Sequence, residues 1–124
     1  MGSSQGKTIP LTSQTSIYVL ELKEGKYYVG QSSSVVEKVY QHFNGEGCAW
    51  TQQYKPIKLL ELRDVHTSFD ENNITKEYMK RYGIEHVRGG SYHRIILEDN
   101  VISLLNQEIW PSEDKESIND DILS

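Results

Sequence analysis

Cysteine is nearly absent from this chain: Cys48 is the only one among 124 residues. No intramolecular disulfide can form, and a zinc ribbon or finger is excluded for want of ligands. A lone thiol favours a reducing intracellular compartment, cytoplasm or nucleus. Long apolar runs are missing too. Nothing approaches the roughly eighteen apolar residues of a membrane-spanning helix, so no membrane role is expected. The stretch from Met1 to Lys7 lacks an apolar core and does not read as a signal peptide. No internal repeat is visible. The length leaves room for one domain, which at this size buries roughly two thirds of its unfolded surface and folds without staples.

Charge is uneven. The net value is −5, but residues 1–97 hold twelve Lys/Arg and ten Asp/Glu, whereas residues 98–124 hold one and eight. The body is therefore slightly basic and the last quarter strongly acidic. Within the body, Lys76, Lys80, Arg81, Arg88 and Arg94 form a local cluster. Such a cluster is compatible with phosphate binding, and equally with an ordinary solvated face.

Periodicity supplies the element order. Ser16 to Lys23 alternates and is rich in β-branched and aromatic residues, so it reads as a strand. Glu24-Gly25-Lys26 is a turn, with Gly25 able to take positive φ. Tyr27 to Gln31 is the second strand of the hairpin. Ser33 and Ser34 are N-cap candidates for a helix from Val35 to about Phe43, stopped at Asn44-Gly45. Helical spacing groups Val36, Val39, Tyr40 and Phe43 as its buried stripe and leaves Lys38 and His42 side by side, away from it. Residues 45–54 read as a loop and Ile57 to Val65 as a third strand. Asp70 is placed as the cap of a helix from Glu71 to Tyr82, ended by Gly83, with Ile74, Tyr78, Met79 and Tyr82 in its apolar arc. Glu77 falls at the edge of that arc, where a carboxylate lining a cleft would sit; the same spacing makes a surface Glu77–Arg81 pair. Gly83 to Tyr92 is a turn-rich connection, Ile95 to Leu97 a short apolar segment, and Val101 to Ile109 a third helix. The expected architecture is α+β: a small three-stranded, mainly antiparallel sheet flanked by helices. Residues 1–15 are expected to be a loose arm, 16–110 the domain, and 111–124 a disordered acidic tail.

Ser16-Ile17-Tyr18, followed after the hairpin turn by Tyr28-Val29-Gly30, resembles the paired motif that names the GIY-YIG nucleases, with serine in place of the first glycine. Trp50-Thr51 with Tyr54-Lys55-Pro56 is similar to the segment before the third strand in many members. Tyr78-Met79 through Gly83 to Val87-Arg88-Gly89-Gly90-Ser91-Tyr92 resembles a subgroup found in large DNA viruses and in uncharacterised proteins. The resemblance spans residues 16–109. It implies the same small sheet domain and a DNA endonuclease using one divalent metal, Mg²⁺ or Mn²⁺. Carried over position by position, it makes Tyr18 the water-activating tyrosine and Tyr28 and His42 the groups that hold phosphate and water. Lys38 stands where the family has a helical arginine, and Glu77 is taken as the metal-binding glutamate. Gly30, Ser32, Lys76, Lys80 and Arg88 are candidate nucleic-acid contacts.

The chemistry suits these residue types. Phosphodiester hydrolysis needs an attacking water, a proton acceptor, and positive charge for the developing oxyanion. One carboxylate with waters is an adequate magnesium site, because magnesium keeps most of its water. Lys38 keeps the sign of the family's arginine and loses its planar fork. That leaves two outcomes open: a nuclease of reduced activity, or a member that binds nucleic acid without cutting. A third reading is a protein-interaction domain with the acidic tail as ligand or self-inhibitor. Arg88-Gly89-Gly90 reads either as a phosphate-contacting turn or as structure, with Arg88 paired to an acid. Trp50 reads as a base-stacking or an interior residue. No DNA-recognition module is apparent, so targeting is expected from a protein partner or from substrate shape.

Overall fold

A computed structural model describes residues 14–111. The expected arm and acidic tail lie almost entirely outside this range. The elements are β1 (Ser16–Leu22), β2 (Lys26–Ser32), α1 (Val35–Phe43), α2 (Ala49–Gln53), β3 (Pro56–Asp64), α3 (Asp70–Tyr82), β4 (Val87–Gly89) and α4 (Asp99–Ile109). The class is α+β, a sheet flanked by helices, as expected. The hairpin turn Lys23–Gly25 puts both Glu24 (φ 63°) and Gly25 (φ 71°) in the left-handed region. Asp70 does not cap α3 from outside. Its carboxylate instead accepts the N–H groups of His66 (2.6 Å) and Thr67 (3.0 Å) and closes the preceding turn.

The sheet corrects the expectation of three antiparallel strands. It has four, in the order β3-β1-β2-β4, and it is mixed. β1 pairs antiparallel with β2 and β3, whereas β4 runs parallel to β2, with Val29 opposite Gly89. Glycine is what admits this strand. A Cβ at Gly89 would stand 2.8 Å from the Val29 Cβ and from Thr75 Oγ1, so a side chain would hold β4 off. In sequence, three glycines within Gly83–Gly90 read as a loop.

Two apolar layers sit on opposite faces of the sheet. Ile17, Val19 and Val29 pack with Ile74, Tyr78 and Met79 of α3, with Val87, and with Leu105 and Ile109 of α4. Tyr18, Leu20 and Leu22 pack with Trp50, under Tyr28, Val35, Val39 and Tyr54. Trp50 is thus interior, and its Nε1–H donates to the Tyr27 carbonyl at 2.9 Å.

The roll of α1 is the second correction. Val35, Val39 and His42 face the sheet, while Val36 and Tyr40 are 85% and 67% exposed. The helix is rolled by roughly 80° from the orientation that apolar spacing favours. A histidine is buried in place of a valine and a tyrosine because both of its ring nitrogens find partners.

Arg88 is the third. It neither faces a phosphate nor pairs with an acid. It is buried, and its guanidinium donates to the carbonyls of Ile84, Val87 and Arg94 at 2.7 Å and of Ile95 at 2.9 Å, while lying 4.7 Å from the Trp50 ring centroid. Four carbonyls share one cation, which ties residues 94–95 to the sheet edge. Arg88→Leu would leave those acceptors unpaired in the interior, at about 3 kcal/mol. Thermal unfolding of the variant should fall by roughly 15 °C; an unchanged midpoint would refute this role.

Candidate active site

The site is built where β1 and β2 lie beneath α1. Tyr18 and Tyr28 come from adjacent strands on the same face, with Gly30 opposite Tyr18. Their rings are 6.2 Å apart between centroids, and the His42 ring stands 5.7 Å from Tyr18 and 4.9 Å from Tyr28. Gly30 allows this packing: a Cβ there would meet Tyr18 Oη at 2.5 Å and Tyr28 Cε2 at 2.9 Å. Gly30 is therefore a buried spacer for the two tyrosines.

His42 is 4% exposed and bonded at both nitrogens. Nδ1 lies 2.8 Å from Thr51 Oγ1, and Nε2 lies 3.0 Å from Tyr18 Oη. Thr51 Oγ1 also lies 3.2 Å from the Cys48 carbonyl. With the Thr51 proton on that carbonyl, its oxygen accepts from His42 Nδ1–H and Nε2 accepts from Tyr18; with that proton on Nδ1, Nε2–H donates to Tyr18 instead. The chain links Tyr18, His42, Thr51 and the Cys48 carbonyl. Gly47 presses on it from the loop; a Cβ there would run into His42 Nδ1 and Thr51 Oγ1.

The electrostatics follow from burial. Desolvation pushes the Tyr18 phenol well above its ordinary range, with Cys48 and then Glu71 acting the same way. Tyr28 is raised likewise, by burial first and then by Cys48, Tyr18 and Glu71. Burial, followed by the nearby charge of Lys38, lowers His42 to about 4. Lys38 itself is exposed, one turn before His42 at the rim of the site.

Of the residues picked from sequence, Tyr18, Tyr28, Gly30, Lys38 and His42 come together. Ser32 stands two residues beyond Gly30, its Oγ accepting the Ser34 N–H at 2.8 Å. Lys76 is held in an ion pair with Glu108 of α4 at 2.7 Å, Lys80 is exposed on α3, and Arg88 is buried as described.

Glu77 stands apart from this group. Its two carboxylate oxygens accept from Arg63 at 3.3 and 2.9 Å, and Arg81 approaches at 3.5 Å. Arg63 also holds Glu61, which accepts from the Tyr78 hydroxyl. A carboxylate flanked by two guanidiniums repels a further cation. The carboxylate near enough to influence the tyrosines is Glu71, in the first turn of α3. Both phenols feel its charge, and burial raises its own carboxyl above the usual range, against the pull of the Gly90 N–H. Among the described residues no group of three His, Cys, Asp or Glu gathers as a multi-ligand centre. A divalent cation would rest on one carboxylate and on water, and Glu71 suits it: an oxygen donor, partly desolvated, with no basic side chain bonded to it among the described residues.

A hydrogen-bonded tyrosine–histidine pair, a second tyrosine and a rim cation thus gather on one face of a small sheet. Comparison with known proteins identifies the class. The GIY-YIG catalytic domain family matches residues 14–82, and the chain belongs to that family of nucleases. A UPF0213 protein of Pediococcus pentosaceus is 24% identical over 98 residues, covering 79% of this chain and 96% of that protein. One from Halobacterium salinarum is 35% identical over 64 residues, half of this chain and 78% of its own length. One from Streptococcus pneumoniae is 34% identical over 44 residues, 36% of this chain and 44% of its own. No solved structure matches. The family match ends at Tyr82, so the Val87–Tyr92 segment lies beyond it.

Two residues gained a role only from the structure. Thr51 was visible as a motif residue without a partner. Sequence alone shows Glu71 only as the start of a helix.

His42 carries a pH signature. Between pH 6.5 and about 4 the unfolded chain binds a proton that the folded chain refuses. Stability should therefore fall as pH drops through that window, by about 2–3 kcal/mol, and His42 should add nothing further below it. Thermal unfolding at pH 7 and pH 4.5 should show the drop in the natural protein and a much smaller one in His42→Gln.

Proposed function

We propose that this chain is a divalent-metal-dependent endonuclease that hydrolyses DNA phosphodiester bonds, with Glu71 as the metal-holding carboxylate. The observation that carries the reading is the 3.0 Å hydrogen bond between Tyr18 Oη and His42 Nε2, taken in the tautomer in which Nε2 is the acceptor. A phenol raised by burial is a poor base if it must ionise first. It need not ionise. As an attacking water loses its proton to the Tyr18 oxygen, Tyr18 passes its own proton to His42 Nε2, so no free phenolate forms. Thr51 holds the imidazole in the tautomer that can receive it. Tyr28, packed against the same ring, orients the phosphate or the water. Lys38 offers positive charge to a phosphate oxygen as negative charge develops there. A magnesium or manganese ion at Glu71, when bound, supplies Lewis-acid stabilisation of the phosphoryl oxygens.

A second reading has a specific observation behind it. Lys38 is an exposed point charge where a bidentate fork would align phosphate, so a member that binds DNA and cuts it slowly or not at all is the alternative.

Cleavage of plasmid and branched DNA in Mg²⁺ or Mn²⁺ separates these readings. Cutting should fall by at least about 10³-fold in Glu71→Gln and about 10²-fold in Tyr18→Phe, as loss of a metal ligand and of a proton-transfer group requires. Glu77→Gln should stay within about 3-fold of the natural protein, since it loses only a surface pair. If Glu77→Gln abolishes cutting and Glu71→Gln does not, the assignment is reversed. No cutting by the natural protein, with activity in Lys38→Arg, would support the disarmed reading. RNA of the same sequence tests the choice of DNA.

A further inference from the structure

Within Val87-Arg88-Gly89-Gly90-Ser91-Tyr92, which lies outside the family match, the turn at Gly90-Ser91 has no role assigned so far. It forms one tight unit. Gly89 and Tyr92 exchange backbone hydrogen bonds at 2.9 and 2.7 Å, so Gly90 and Ser91 are the two residues of a turn. Gly90 takes φ +52°. The Ser91 N–H donates to Asn72 Oδ1 at 2.9 Å and Asn72 Nδ2 donates to Ser91 Oγ at 3.1 Å, while the Gly90 N–H lies close enough to Glu71 to favour its ionised form. A Cβ on Gly90 would collide with Asn72 Oδ1. Behind the turn, Gly89 lies against Thr75, whose hydroxyl donates to the Glu71 carbonyl at 2.7 Å. In register, Gly90 follows the Val29–Gly89 pair and so comes level with Gly30, the spacer between Tyr18 and Tyr28. Both ends of the first turn of α3 are thus tied to the strand end beside the tyrosines.

We propose that Asn72 is a positioning residue: its reciprocal hydrogen bonds with Ser91 lock the Gly90 turn against α3 and so set where the Glu71 carboxylate stands. The inference rests on the reading of Glu71 as the metal-holding group. It explains why the turn needs glycine followed by serine. Glycine supplies the conformation and the clearance, and serine supplies a hydroxyl at the one place where the carboxamide of Asn72 can use both of its ends. It also counts against the turn as a phosphate cradle, because the Ser91 amide is spent on Asn72.

The test uses the full chain and Mn²⁺ as probe. Metal binding is read without DNA, from the Mn²⁺ concentration that half-broadens the Gly90 and Ser91 amide signals in NMR spectra. It is read again from the Mn²⁺ concentration giving half-maximal cutting. Asn72→Ala should raise both by about 10-fold, in line with the loss of an outer partner of a ligand. Cutting at saturating Mn²⁺ and metal-free DNA affinity at fixed salt should change little. Ser91→Ala keeps the backbone bond and should shift both by about 3-fold; it carries the test alone if Asn72→Ala does not fold. A lower melting temperature with unchanged metal requirement in these variants would overturn the positioning role. Glu71→Gln separates the two ideas. If it removes the broadening while Asn72→Ala and Ser91→Ala leave it untouched, the metal assignment stands and this inference falls. If Glu71→Gln leaves the broadening intact, the reading of Glu71 falls instead.

Discussion

The hydrogen bond between Tyr18 and His42 decides how the first helix lies on the sheet. An imidazole taken out of water loses two hydrogen bonds, and neither can be left unmade without a penalty of about 1–3 kcal/mol. Tyr18 from β1 and Thr51 from α2 replace both. Each replacement constrains something larger. The bond to Tyr18 fixes the roll of α1, turning Val35 and Val39 to the sheet and Val36 and Tyr40 to solvent. The bond to Thr51 pins the short helix α2, whose Trp50 then fills the layer beneath and meets the Arg88 guanidinium. The loop between the two helices has to pass over the imidazole, and Gly47 gives it the clearance. One polar pair inside an apolar layer thus sets the arrangement of three segments that share no long run of contacts.

That dependence explains what could be read in advance. The hairpin, the third strand and the two longer helices follow from alternation and from helical spacing, because their buried faces are apolar. The roll of α1 does not, since the residue it buries is a histidine and the residues it exposes are apolar. Spacing rules count apolar faces and cannot see that a polar side chain will be satisfied from another strand. β4 escaped for a related reason: a three-residue strand containing glycine has no period to detect, and its partner is set by close backbone approach. Arg88 looked like a phosphate ligand because sequence shows the charge and not the four carbonyls around it.

The two glutamates of α3 make the same point from the other side. At 100° per residue, Glu71 falls in the middle of the arc formed by Ile74, Tyr78, Met79 and Tyr82, whereas Glu77 lies only at its edge, about 60° beyond Ile74. A carboxylate centred on an apolar arc is out of place unless it has work to do or lies at the helix end, where the dipole favours it. Glu71 lies at the helix end, and the proposed metal would give it the work. The clue was legible, but its position as the first residue of the expected helix hid it. Glu77, in contrast, sits among Arg63, Arg81, Glu61 and Tyr78, a network that ties α3 to β3 on the surface. Alternating charges shared over two elements stabilise that seam, and the same alternation makes it a poor place for an added cation.

Lys38 and His42 are coupled in a way that bears on the proposed reaction. Burial does most to keep His42 deprotonated, and the charge of Lys38 adds to it. In the free protein the imidazole is therefore a weak base that rarely carries a proton, and Tyr18 keeps its own. A phosphodiester docked at the rim brings negative charge to both groups at once. It offsets the charge of Lys38 and favours a proton on His42, so the acceptor at the end of the Tyr18 path strengthens only when substrate is present. An arginine at position 38 would exert the same field and add a planar fork that fixes the phosphate. In the proposed reaction lysine would retain the electrostatic half of that role, and alignment of the phosphate would fall to Tyr28 and to a metal at Glu71. The cost of that exchange falls on geometry, and so on the rate of the chemical step more than on the pH at which the site is ready.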